Sequence, residues 1–79
     1  MSRRHPKEAG DILVALGRRL RAARQHAGVS LGDLAYVAGV TPQQIWKIEH
    51  AHNHISAVRL FIIAKALGLS VDYFFMEEL

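Results

Sequence analysis

SLGDLAYVAGVTPQQIWKIE runs from Ser30 to Glu49, and its reading decides the fold. Apolar residues recur here at helical rather than alternating spacing. Ser30 followed by Asp33 fits a Ser-x-x-Asp capping pattern, in which a side-chain oxygen satisfies a free N–H at a helix start. The helix it opens, LGDLAYVA, is short, and Gly39 closes it. Thr41 then caps a second helix. Pro42 takes the first helical position, where no N–H is needed, and Gln44 is placed to reach back to the cap. That helix runs through Glu49. Two short helices joined by a Gly-containing turn have the layout of a helix-turn-helix.

The faces of this pair differ in chemistry. Ala35 lies four residues before Gly39, on the inner face, where a small side chain lets the helices approach closely. Val40, Ile45 and Ile48 face the core. Gln43, Trp46, Lys47 and His50 point the other way. An amide and an ammonium on an outward face suit base edges: Gln bonds adenine in a bidentate manner and Lys bonds guanine O6 and N7.

The remaining chain reads as three more helices. Asp11 caps a first helix bearing Ile12, Leu13, Leu16, Leu20 and Ala23 on one face, ended by HAGVS with Gly28 in a left-handed turn. Ser56 caps AVRLFIIAKAL, which stops at Gly68, and Ser70 begins a last helix, VDYFFMEEL. The expected fold is all-α, with a flexible basic arm over residues 1–10 and a helical domain over residues 11–79.

Composition excludes several classes. Of the 79 residues 51% are hydrophobic, which suits a globular chain and not a disordered one. Without cysteine there is neither a disulfide framework nor a thiolate metal site. No stretch approaches the roughly 18 apolar residues of a membrane span, and the start MSRRHPKEAGD has no apolar run of a secretory signal. A cytoplasmic location follows as the expectation. An enzyme is disfavoured: the serines read as caps, no phosphate loop appears, and the few acids are scattered or engaged in caps and pairing. No cofactor is expected. The net charge of +3 is concentrated in Arg18, Arg19, Arg21 and Arg24, and in Arg3, Arg4 and Lys7 of the arm.

At these residues the chain resembles the Cro/C1-type (XRE) helix-turn-helix family of bacterial and phage regulators. The markers are LGRRLR, Arg24, GVS, LA, GVT, I.KIE and IAKALGLS, in that order, over residues 16–75. Its length and FF ending are similar to restriction-modification controller proteins. The resemblance implies a compact five-helix, lambda-repressor-like DNA-binding domain acting as a transcriptional regulator. It matches Gln43, Gln44 and Lys47 to recognition-helix positions, and Arg24 and Glu49 to an ion pair between the first and third helices. It further implies a double-stranded operator as partner, autoregulation, a nucleoid location, and leaves contact with RNA polymerase open. Leu31 stands where the family has a phosphate-binding Gln, and Ala51 where a Gly follows the recognition helix.

Other residues carry alternatives. Trp46 joins Gln43, Gln44 and Lys47 as a base-contact candidate, through a thymine methyl or a sugar, or else it packs on a neighbour or binds a protein. Gln44 is also explained by its cap alone. Ser30, Thr41, His50, His52, Asn53 and His54 are phosphate-contact candidates, the loop alternatively being only solvated. The spacing of His50, His52 and His54 on every second position gives no fixed metal geometry, so no metal site is assigned. Arg18, Arg19 and Arg21 read as solvated, or one of them reaches a phosphate; the arm enters a minor groove or stays a tail. On the fourth helix Leu60, Ile63, Ala64 and Leu67 form a core stripe, while Val58, Phe61 and Ile62 form a second. With Phe74, Phe75 and Met76 they make surplus apolar surface. Val58, Phe61, Ile62, Phe75 and Met76 are therefore assigned to a homodimer interface, unless Phe61 and Phe75 fold over the monomer core. A reading of another class keeps the helix-turn-helix as a scaffold for protein interaction, as in an antitoxin or antiactivator.

Overall fold

The structure, a computed structural model, describes the chain from residue 9 to residue 78. Four α-helices and a 3₁₀ segment follow one another: α1 (Ala9–His26), α2 (Leu31–Ala38), α3 (Pro42–Glu49), α4 (Ala57–Ala66) and the C-terminal segment Val71–Glu78. The all-α expectation holds among these residues. Residues 1–8 of the proposed basic arm lie outside the described part.

Helix α1 begins at Ala9, so Asp11 sits in its first turn and is not its cap. A carboxylate there still faces the positive end of the helix dipole. Ala15, Leu16, Leu20 and Ala23 carry its buried face. Gly17 is buried too, and an added Cβ there would meet the carbonyl oxygens of Ile48 and Glu49 at 2.5 and 2.6 Å. Only a hydrogen in place of a side chain lets α1 lie on the end of α3.

The other boundaries follow local chemistry. Ser30 Oγ accepts from Asp33 N–H at 3.0 Å, and Gly39 closes α2 at φ 71°. Thr41 Oγ1 accepts from Gln44 N–H at 3.1 Å while Gln44 Oε1 accepts from Thr41 N–H at 2.8 Å, a complete capping box. Ser56 Oγ accepts from Arg59 N–H at 3.1 Å at the head of α4.

One core joins the elements. Leu16, Leu20, Leu34, Ala35, Ala38, Ile45, Ile48, Leu60, Ile63 and Ala64 are all buried in it. Leu31 packs against its edge, which accounts for an apolar residue at the position where the resembled family has a Gln.

The C-terminal segment departs from expectation. It is 3₁₀ rather than α, with a break at Phe75 (φ −122°, ψ 15°). Phe74 is not surplus surface: it is fully buried in the core. Phe75 is half-buried against the same core, the packing that the alternative of folding over the monomer edge describes. Val58, Phe61, Ile62 and Met76 remain exposed, and Lys65 Nζ lies 5.8 Å from the Phe61 ring centre. Arg19 is half-buried with its guanidinium 5.5 Å from the Tyr73 ring centre, so it is not a simple solvated charge.

Candidate nucleic-acid interface

Helix α3 is held from behind. Ile45 and Ile48 are buried, and Glu49 is buried as a charge. Arg24 reaches it from α1: Nε donates to Oε2 at 2.6 Å and Nη2 to Oε1 at 3.2 Å, while Nη1 donates to the Val29 carbonyl at 2.9 Å. The pair is thus bidentate and also ties down the turn before α2, as the implied Arg24–Glu49 partnership requires.

Two residues that sequence reasoning missed complete this support. Gly17 lets α1 contact the last carbonyls of α3. Its signal was a glycine inside a helical run at a core position. Arg59 Nη1 donates to the Ala38 carbonyl at 2.7 Å, capping α2 from α4 across the turn. An arginine in the first turn of an apolar helix carried no such signal.

The outward face gathers the expected residues. Gln43, Gln44, Trp46, Lys47 and His50 are all exposed. Gln43, Trp46 and Lys47 line a shallow depression of about 340 Å³. Gln44 is engaged through Oε1 in the capping box, leaving its NH₂ group as donor. Ser30 and Thr41 use their oxygens as acceptors in their caps, so each hydroxyl hydrogen can still be given to a phosphate.

The histidines do not act as one loop. His50 turns back over α3: its ring stacks on Trp46 with centroids 3.9 Å apart and planes at 20°, and Nδ1 lies 2.8 Å from the Trp46 carbonyl. His52 stands edge-on to the same indole at 5.6 Å. His54 instead borders a cleft with Ile12, Leu13, Ile55 and Phe75 on the α1 side. Asn53 is half-buried between them in sequence. Among the described residues no cluster of three or more metal-ligating side chains forms.

Ala51 adopts φ 61°, the left-handed region, with its N–H on the Ile48 carbonyl and the His52 N–H on the Lys47 carbonyl at 2.7 Å. This is the Schellman closure that glycine serves without strain. Among the described residues no helix is long and apolar enough to cross a membrane.

Comparison with known proteins agrees with this architecture. An uncharacterised HTH-type transcriptional regulator of Rickettsia conorii is 45% identical over 65 residues, covering 80% of this chain and 52% of its own length. The chain thus spans about half the length of that relative. Among solved structures, the clp gene regulator ClgR of Corynebacterium glutamicum superposes with TM-score 0.80 at 33% identity, over 85% of this chain and 71% of the other. The restriction-modification controller protein C.AhdI of Aeromonas hydrophila superposes with TM-score 0.75 at 30% identity, over 80% of this chain and 96% of its own. With residues 15–73 matching its helix-turn-helix domain, this chain belongs to the helix-turn-helix family.

Proposed function

We propose that the protein is a sequence-specific DNA-binding transcriptional regulator that acts as a homodimer on pseudo-palindromic operators in the bacterial cytoplasm, on the nucleoid. The observation that carries this is the outward face of α3: amide, indole and ammonium exposed together on a helix whose other side is locked into the core. Such a helix fits the major groove, with Gln43 and Lys47 on base edges. Ser30, Thr41 and the turn from His50 to Asn53 lie at the element ends that flank it, where phosphates would run, while His54 stands apart on the α1 side.

Dimerisation supports the chemistry. One short helix reads few bases, whereas two related by a two-fold axis read half-sites about 34 Å apart. Val58, Phe61 and Ile62 on α4, with Met76, supply exposed apolar surface for that contact. Autoregulation follows from occupation of the protein's own promoter, by exclusion of RNA polymerase or by contact with it.

Binding-site selection with the purified chain tests the function. The expected outcome is an enriched inverted repeat whose affinity falls steeply and log-linearly with salt. An affinity that ignores salt, or no enriched sequence, favours the protein-interaction alternative. Sedimentation of the Phe61→Glu variant as a monomer, against a dimeric parent, tests the interface.

A further inference from the structure

We propose that Trp46, braced by His50, is a reading site for the 5-methyl group of a pyrimidine in the major groove; the assignment rests on the DNA-reading function above. Trp46 is the protein's one tryptophan and is 43% exposed on the outward face of α3. A side chain so exposed ordinarily hops between rotamers. Here it is held. The His50 ring lies on the indole at 3.9 Å, nearly parallel. Its Nδ1 is 2.8 Å from the carbonyl of the same Trp46, and since a carbonyl only accepts, Nδ1 carries the hydrogen and donates. The imidazole is thereby fixed to residue 46 at two points, ring and backbone. His52, edge-on at 5.6 Å, flanks the indole as well.

What remains open of the ring lines the depression shared with Gln43 and Lys47. Apart from its single N–H the indole is apolar, and between an amide and an ammonium it offers a surface that suits an apolar partner among polar base atoms. In the major groove that partner is the C5-methyl of thymine, or of a methylated cytosine. A ring already ordered loses little side-chain freedom on contact, so the methyl is read at low entropic cost. His50 is accordingly a positioning residue, acting through Trp46. A contact to deoxyribose, by contrast, would be indifferent to the base methyl.

The test places the change in the DNA. The selected duplex is remade with deoxyuridine at each thymine in turn and titrated with the full chain. At one thymine beneath each recognition helix, affinity is expected to fall about three- to tenfold. That penalty vanishes in Trp46→Ala and shrinks in His50→Ala, which also lowers the anisotropy of the intrinsic tryptophan fluorescence. His50→Phe, keeping a stacked ring, retains the penalty. A selected site insensitive to every thymine-to-uracil change overturns the assignment while leaving the DNA-reading function intact. So does a penalty that persists in Trp46→Ala. A selection that enriches no sequence removes both.

Discussion

The two sides of α3 are eight residues of one helix with opposite physical histories. Its inner side is set by other elements: Ile45 and Ile48 in the core, Glu49 clasped by Arg24, the last carbonyls pressed on Gly17. Its outer side is exposed: Gln43, Trp46 and Lys47 line one depression, and the ring contacts of Trp46 are to His50 and His52 in the turn that follows. The inner side therefore holds stability and orientation, and the outer side is free to carry specificity. Substitutions inside should move the melting temperature, and those outside should move only DNA affinity.

The largest effect is expected at the ion pair. Arg24→Met leaves Glu49, whose side chain is 1% exposed, as an uncompensated buried carboxylate. A loss of about 3–5 kcal/mol is expected in denaturant unfolding, enough to unfold much of a small domain. Arg24→Met with Glu49→Leu should recover most of it, since replacing both partners by apolar groups removes the unpaired charge. An unchanged unfolding midpoint for the single variant would show that the pair does not hold the helix.

Gly17→Ala comes next. The added methyl meets backbone at 2.5 Å, which cannot rotate away, so α1 and α3 must separate. The cost is about 1–3 kcal/mol of overpacking, partly offset by alanine's better helix propensity. DNA affinity should fall as well, because the shift tilts the recognition helix relative to its neighbours. Loss of stability without loss of affinity would show that the helix is aimed by something other than this contact.

Outside, Gln43→Ala and Lys47→Ala should each weaken specific binding by about 1–3 kcal/mol while leaving thermal unfolding within about 0.5 kcal/mol of the parent. They sharpen the comparison further by differing in salt response. If Lys47 touches a phosphate, its loss reduces the salt slope by about one; if it reads a base, the slope holds and discrimination relaxes at one position. Gel shifts on matched and mismatched duplexes at several ionic strengths distinguish the two.

How much of this was legible in the sequence follows the range of each interaction. Ser30 with Asp33, Thr41 with Gln44, and Gly39 act within three or four residues, and spacing alone locates them. The exposed set on α3 follows from the helical period in the same way. Arg59 on Ala38 and Gly17 on Ile48 join residues 21 and 31 positions apart, and nothing local announces such pairs. Phe74 reads as surplus surface in the sequence but is fully buried, because the path of the last segment, 3₁₀ with a break at Phe75, is set by its packing and not by its composition. The Trp46–His50 stack is local, an i,i+4 pair, but it depends on the rotamers of two exposed rings, which spacing alone does not set.

Ala51 lies on the border between the two sides and gives the smallest, most discriminating prediction. A left-handed conformation costs an L-residue about 1–2 kcal/mol, part of which glycine returns through its greater freedom when unfolded. Ala51→Gly, at φ 61°, should therefore stabilise the protein by about 0.5–1 kcal/mol, read as a rise of a few degrees in Tm. Its effect on binding locates the border. His50 and His52 flank this residue, and both contact Trp46. A more stable protein with unchanged affinity means the Schellman turn belongs to the inner, structural side, and alanine merely strains it. A more stable protein that binds more weakly means that the stiffer alanine turn holds the two imidazoles against the indole, and that the strain serves the reading face.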